Sequence, residues 1–460
     1  MKINKSADLA RRAFLKRGSM LGAAGFAAPW ALNLAAIGEA AAQTATDYKA
    51  LVCVFLYGGN DHGNTLVPYD ATNYAAYRTI RANLATPQAN LAATLLTPAT
   101  ALPSGMQLAM APQLASLKSL FDQGKLAVQL NVGPLIVPTT VAQYRSGSVP
   151  LPPKLFSHND QQSIWQSSRP EGSITGWGGR IGDLFLGGNS TSALTCMSVT
   201  GNAVYLAGQT AVQYQVSTSG AVAVRGVKSS LYGSAACAAE LRTLITNSSS
   251  HSLENEYAVV TRRSLDTEAL VTSAVAAAPV FTTVFNTSNS LAMQLQMVAK
   301  MIAARGTLGV TRQVFLVSMS GFDLHDNLLS QHPVLLTSVN EALASFYGAT
   351  VELGIANNVT TFTASDFGRT LTSNGGGSDH GWGGHHVVIG GAVQGGQFYG
   401  SAPAIAVNGP DDVGQGRLLP TTSVDQYAAT LAAWFGVADS SMATIVPNIG
   451  NFTTRNLGFV

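Results

Sequence analysis

Three stretches of this chain end in the same way, and that shared ending constrains the fold more than any other feature. Residues 50–57 (ALVCVFLY) run into Gly58-Gly59-Asn60-Asp61, residues 313–319 (QVFLVSM) into Ser320-Gly321-Phe322-Asp323-Leu324-His325, and residues 359–363 (VTTFT) into Ala364-Ser365-Asp366. Each is a short apolar or β-branched run without a polar face, which predicts a strand covered on both sides, as in a parallel sheet. A fourth run, residues 126–132, follows a helical pattern at 112–123. From about residue 290 onward the two periods alternate. Leu291, Leu295, Val298 and Ile302 stand at helical spacing before the second run, residues 328–353 read as a helix before the third, and 386–389 and 424–435 read as a strand and a helix capped by Ser423. This alternation predicts βαβ units and a doubly wound, mostly parallel α/β sheet with helices on both faces. Residues 187–290, rich in Ser, Thr, Ala and Val, predict an insertion that is β-rich first and helical around 253–277.

Ligands of open α/β sheets bind beyond the carboxyl ends of the strands. Parallel neighbours would therefore gather Asp61, Asp323 and Asp366 in one crevice, where carboxylates repel unless a cation neutralises them. Residues 365–386 (SDFGRTLTSNGGGSDHGWGGHH) add three of the eight histidines and no Lys or Glu, in a chain only 11 % charged. Neutral imidazole with carboxylate suits Zn, Mn or Fe, and glycines let the backbone wrap closely. His325 shares a loop with Asp323, and His380, His385 or His386 completes the set. His385 and His386 would face opposite sides of a strand, so only one is expected to ligate. Asp379 either ligates or orients a histidine. Ser157 and His158 precede a helical stretch at 160–166, where backbone N–H groups can hold an anion and a serine beside a metal can attack phosphorus or sulfur. Arg369 has the geometry to clamp a tetrahedral oxyanion. Each assignment competes with a plainer one: the aspartates as helix caps, Ser157 as an N-cap and Arg369 in a structural ion pair.

Arg11-Arg12, a weakly apolar stretch and Ala40-Ala41-Ala42 read as a twin-arginine signal peptide over residues 1–42, with residues 43–460 as the mature domain. The translocase of that pathway is the implied export partner, and the expected location is periplasmic or secreted, without a stable membrane span. Removing the signal's six basic and two acidic residues turns 26 Lys+Arg and 24 Asp+Glu into 20 and 22, so the mature chain is faintly acidic. No basic run interleaved with aromatics suggests nucleic acid. Cys53 reads as a core residue, whereas Cys196 and Cys237 could pair in an oxidising compartment.

The boxes GGND (58–61), FSHNDQQ (156–162), GFDLHDN (321–327), SDFGRT (365–370) and SDHGWGGHH (378–386) resemble the twin-arginine-exported domain-of-unknown-function family 1501 over nearly the whole mature chain. That family looks like a branch of the alkaline phosphatase/sulfatase superfamily. The resemblance implies a strand-edge centre of one or two divalent ions (Zn, Mn or Ca), with metal ligands at Asp61, Asp323, His325, Asp366 and His380 or His385, and a nucleophile near Ser157. It implies metal-dependent hydrolysis of a phosphate or sulfate ester, small or polymeric. Phe367 departs from the pattern, standing where a ligand histidine is usual, and no sulfatase Cys/Ser-x-Pro-x-Arg signature lies near Ser157. A non-catalytic exported protein that keeps the fold and binds a surface polymer or protein partner is the alternative. No G-x-S-x-G elbow supports a serine esterase.

Overall fold

The computed structural model describes residues 47–460, so the signal-peptide reading lies outside the described residues. The strands are β1 (Lys49–Leu56), β2 (Leu66–Pro68), β3 (Leu108–Met110), β4 (Leu126–Gly133), β5 (Cys196–Ser198), β6 (Tyr214–Ser217), β7 (Gly220–Ala221), β8 (Arg312–Met319), β9 (Val359–Ser365), β10 (Gly384–Gly390), β11 (Phe398–Tyr399) and β12 (Thr422–Ser423). All but β2 and β3 belong to one sheet, ordered β11-β4-β10-β9-β1-β8-β5-β6-β7, with β12 also paired to β4. The three runs with aspartate endings are its centre: β1 pairs in parallel with β8 on one side and β9 on the other. Leu56 lies opposite both Met319 and Ser365, so the three exits leave the same edge.

Side-chain alternation explains why β1 carries no polar face. Ala50, Val52, Val54 and Leu56 enter one core, while Leu51, Cys53 and Phe55 enter the other. Helices Ala115–Asp122, Ser290–Ala303 and Leu328–Glu352 cover the first face, supplying Phe121, Leu295, Val298, Leu343 and Phe346. Helices Trp177–Phe185 and Val424–Phe435 cover the second with Ile181, Phe185, Leu431 and Phe435. Each such side chain contributes roughly 1.5–3 kcal/mol by leaving water. The doubly wound α/β class is the observed one.

Two features differ from the sequence reading. Strand β10 runs antiparallel to both β9 and β4. No helix lies between β9 and β10 to carry the chain back for a parallel return, so the chain doubles back along the sheet. This turns the amino end of β10, with the Gly-rich box before it, toward the carboxyl edge of β1, β8 and β9. The first half of 187–290 is also less separate than an insertion suggests: β5 pairs with β8 and β6 with β5, extending the central sheet. The helical half forms as helices Ala235–Thr246 and Ser252–Ala276, and Val271 and Ala274 of the latter enter the main core. Cys53 and Cys196 are buried and Cys237 is exposed, all three free, so the pairing of Cys196 with Cys237 does not occur.

Candidate metal centre

The strand exits are fastened together before any functional side chain is placed. Ser365 Oγ donates to the Leu56 carbonyl (2.6 Å) and accepts from Asn60 N (2.9 Å), and Gly58 N donates to Asp366 Oδ1 (3.1 Å). Gly58 has φ +115°, and a Cβ there would stand 2.3 Å from Asp323 N. Only glycine lets the turn after β1 approach the turn after β8 this closely.

Around this frame three imidazoles and a carboxylate converge. His325 Nε2 and His380 Nε2 are 2.9 Å apart, and each lies close to Asp323 Oδ1, at 3.1 and 3.2 Å. His158 Nε2 is 3.3 Å from the other oxygen, Asp323 Oδ2. Potential ligand atoms of His158, Asp323 and His380 all lie within 4.8 Å of one another. The far nitrogen of every ring is held. His380 Nδ1 is 2.7 Å from the Phe156 carbonyl, His325 Nδ1 3.0 Å from Asp379 Oδ1, and His158 Nδ1 2.6 Å from Asp366 Oδ2. A carbonyl or carboxylate oxygen only accepts, so each Nδ1 is placed to carry a proton. The Asp323 oxygens that face the Nε2 atoms are acceptors too, so inward lone pairs on all three rings require a cation between them and the carboxylate.

Convergent lone pairs beside a carboxylate fit a divalent cation. Donors about 2.0–2.1 Å from one Zn²⁺ at tetrahedral angles are separated by roughly 3.3 Å, close to the spacings here. Histidine ligands whose second nitrogen donates to a carboxylate or carbonyl are the usual arrangement around such ions. The electrostatics agree. Burial lowers the His380 pKa and favours its neutral form. Burial raises the pKa of Asp323, but the hydrogen bond and charge of Arg369 outweigh it and keep the carboxylate low. The Asp366 hydrogen bond raises the His158 pKa and favours the charged ring, so a cation bound at Nε2 would have to displace a proton.

Phe367 stands where the resemblance placed a ligand histidine, and it packs against the cluster instead. It is buried, with ring centroids 4.9 Å from His158 and 4.5 Å from His380, so it backs both imidazoles. The imidazole beside Asp366 comes instead from His158, on helix His158–Ser167 and 208 residues away. Gln162, one helical turn after His158, donates to the same Asp366 oxygen at 2.7 Å. The FSHNDQQ spacing places both on one helix face, a signal the sequence carried.

The other expected ligands lie elsewhere. Asp61 is 2 % exposed and paired with Arg81 Nη2 at 2.5 Å, with further donors at Ser378 Oγ (2.8 Å) and Asn64 N (3.0 Å). Burial alone would raise its pKa, yet the Arg81 charge holds it well below the usual carboxylate range. Asp61 is therefore a buried ion-pair partner and helix cap; nothing around Arg81 in the sequence announced the pairing. His385 accepts from Asn131 N (3.0 Å) and packs edge-on to His62, since its strand position turns it away from the cluster. His386 lies on the opposite face near Thr363 and Trp165. Asp366 supports His158 rather than facing His325 and His380. Asp379 orients His325, one of the two roles read for it.

Arg369 also departs from its expected role. Its guanidinium is buried and donates to Asp323 Oδ1 (2.6 Å), the Gly58 carbonyl (3.1 Å) and the Ser378 carbonyl. Enclosed this way it holds Asp323 in place, the structural ion pair, and offers no free fork to a substrate. Ser157 begins helix His158–Ser167, but its Oγ donates to Asp160 Oδ2 (3.0 Å) and does not cap the helix. Two further buried histidines escaped the sequence reading: His62, which accepts from Arg369 N, and His332, 2.9 Å from Asn60 Oδ1.

Comparison with solved structures finds distant likenesses. A sulfatase, PsFucS1, from Pseudoalteromonas sp. is 10 % identical, with 88 % of this chain and 71 % of that one covered and a TM-score of 0.36. The C-terminal periplasmic domain of EcEptC from Escherichia coli is 10 % identical over 90 % and 87 % of the chains (TM-score 0.34). The soluble domain of lipooligosaccharide phosphoethanolamine transferase A from Neisseria meningitidis is 8 % identical over 87 % and 91 % (TM-score 0.34). No curated protein matches the sequence. One family model matches residues 48–446, nearly all of the described chain, and the protein thus belongs to the family described as protein of unknown function DUF1501.

Proposed function

We propose that this chain is an exported, metal-dependent hydrolase of phosphate or sulfate esters. The observation that carries the reading is the inward convergence of His158, His325 and His380 Nε2 on the Asp323 carboxylate, with every Nδ1 anchored. A divalent ion held there supplies Lewis acidity and lowers the pKa of a bound hydroxyl or water. Ser157 lies between Phe156 and His158, both of which touch the centre, and its Oγ already donates to Asp160. Asp160 is 3 % exposed and can take the Ser157 proton as Oγ bonds to phosphorus or sulfur and the ester oxygen leaves. The leaving oxygen takes a proton from water, and the hydroxide so formed attacks the phosphorus or sulfur and releases Ser157, whose Oγ regains its proton from Asp160. With Arg369 enclosed, the free N–H groups of the helix His158–Ser167 first turn hold the transferring group's oxygens. The twin-arginine motif supports export, and no helix among the described residues is long and apolar enough to cross a membrane.

Metal analysis of purified full-length protein should find one or two equivalents of Zn, Mn or Ca, lost in Asp323→Ala/His380→Ala. Ser157→Ala should keep the metal and lose turnover of aryl phosphates or sulfates. A folded protein without metal, indifferent to chelator, would sink the proposal. Metal without turnover on such a panel favours the second reading, a partner-binding exported protein. Exposed Leu244, Leu253 and Tyr257 on the helical part of 187–290 favour that reading.

A further inference from the structure

The chain turns abruptly just before His158. Lys154 (φ +44°) and Phe156 (φ +71°) both adopt left-handed backbone conformations that L side chains rarely take. A non-glycine residue held there is strained and persists only where its surroundings enforce it. Around Phe156 those surroundings form a closed circuit. Its carbonyl accepts from His380 Nδ1 at 2.7 Å. Its ring lies 4.4 Å beneath the Arg417 guanidinium and edge-on to Trp382 at 6.5 Å. Arg417 Nε in turn donates to the His380 carbonyl at 3.0 Å. Arg417 therefore grips the backbone of His380 and the side chain whose carbonyl fixes that histidine's ring.

We propose that Phe156 and Arg417 are positioning residues, and that the left-handed turn at Phe156 serves to aim a carbonyl at His380 Nδ1, fixing the Nδ1–H tautomer and turning Nε2 toward Asp323. A relaxed backbone at residue 156 would rotate the carbonyl away and let the ring adopt either tautomer. The cation–π contact of Arg417 with the Phe156 ring opposes that relaxation. The proposal rests on the metal-centre reading, but its central claim, the state of one imidazole, can be measured without metal.

Two readouts on the full-length protein test it. The first is Zn²⁺ affinity by chelator competition. Arg417→Ala, Arg417→Lys and Phe156→Ala should each weaken binding by about 10–100-fold, the usual effect of removing a residue that orients a metal ligand. Phe156→Gly should fall closer to wild type than Phe156→Ala, because glycine takes the left-handed turn without strain and keeps the carbonyl. Binding within twofold of wild type in Arg417→Ala and Phe156→Ala overturns the proposal. The second readout is the ¹⁵N spectrum of the histidine rings in metal-free protein, with His380 identified by the signal missing from His380→Gln. Wild type should show His380 as the Nδ1–H tautomer and Arg417→Ala a mixture; a mixture already present in wild type overturns the proposal. If wild type binds no Zn²⁺, the metal reading fails and the ring spectrum alone decides the positioning claim.

Discussion

Replacing Arg81 with leucine tests whether Asp61 belongs to the scaffold or to the centre. Both side chains are at most 2 % exposed; Arg81 Nη2 lies 2.5 Å from Asp61 Oδ2, and Nη1 donates to the Thr370 carbonyl at 3.0 Å. Leucine leaves the carboxylate in place with only Ser378 Oγ and Asn64 N as donors. Breaking a buried pair from one side costs about 3–5 kcal/mol, because the remaining charge stays out of water without its partner. Asp61→Asn strands the guanidinium and should cost a similar amount. The double variant removes both charges, so its loss should fall short of the summed single losses by at least about 2 kcal/mol. The assay is urea unfolding followed by tryptophan fluorescence, with bound metal counted in parallel. All three variants should retain their metal. Because the ion pair depresses the Asp61 pKa, its stabilisation is complete above the unfolded value of about 3.9 and is lost as pH falls below it, an acid limb that Arg81→Leu should lack. Metal loss in Asp61→Asn, or single losses under about 1 kcal/mol that simply add, would refute the reasoning and return Asp61 to the ligands.

Burial lowers His62 and His332 to about 4 and His386 to about 3, below an unfolded value near 6.5. The unfolded chain therefore takes up protons first, and each histidine should remove up to roughly 1.4 kcal/mol per pH unit as pH drops from about 6.5 toward 4. His332→Gln should flatten that slope, and an unchanged slope in pH-dependent urea unfolding contradicts the assignment. Phe367→Ala should cost about 3–5 kcal/mol and also weaken metal binding, since His158 and His380 lose the ring behind them; chelator competition separates the two effects. Gly59→Ala places a Cβ 2.4 Å from the Phe367 ring at φ +83°, so it should reproduce part of both losses; wild-type stability and metal affinity would count against that packing.

The fold was largely legible because its determinants are local. Residues 50–57 show no polar face, so the strand must be covered on both sides, and β1 does lie between β8 and β9 with its side chains alternating into two cores. The direction of β10 was less legible, because it depends on how the chain doubles back through the Gly-rich segment. The same limit applied to the candidate centre. Asp323, His325 and His380 could be found from their boxes, but whether a histidine turns inward depends on what holds its other nitrogen. Those holders are the Phe156 carbonyl for His380, Asp379 for His325 and Asp366 for His158.

By itself, the sequence determined that three apolar runs each end in an aspartate, and that histidines cluster in one Gly-rich box of a chain with few other charges. Periodicity and composition suffice for that, since both act over a few residues. The tertiary structure alone decided which of those groups meet. Arg81 drew Asp61 into an ion pair, a strand position turned His385 away, and Arg369 was enclosed against Asp323. His158, 208 residues before Asp366, supplied the imidazole that Phe367 does not. Hydrogen bonds and ion pairs act over about 3 Å, so their partners are chosen only when the packed fold brings distant segments within that range.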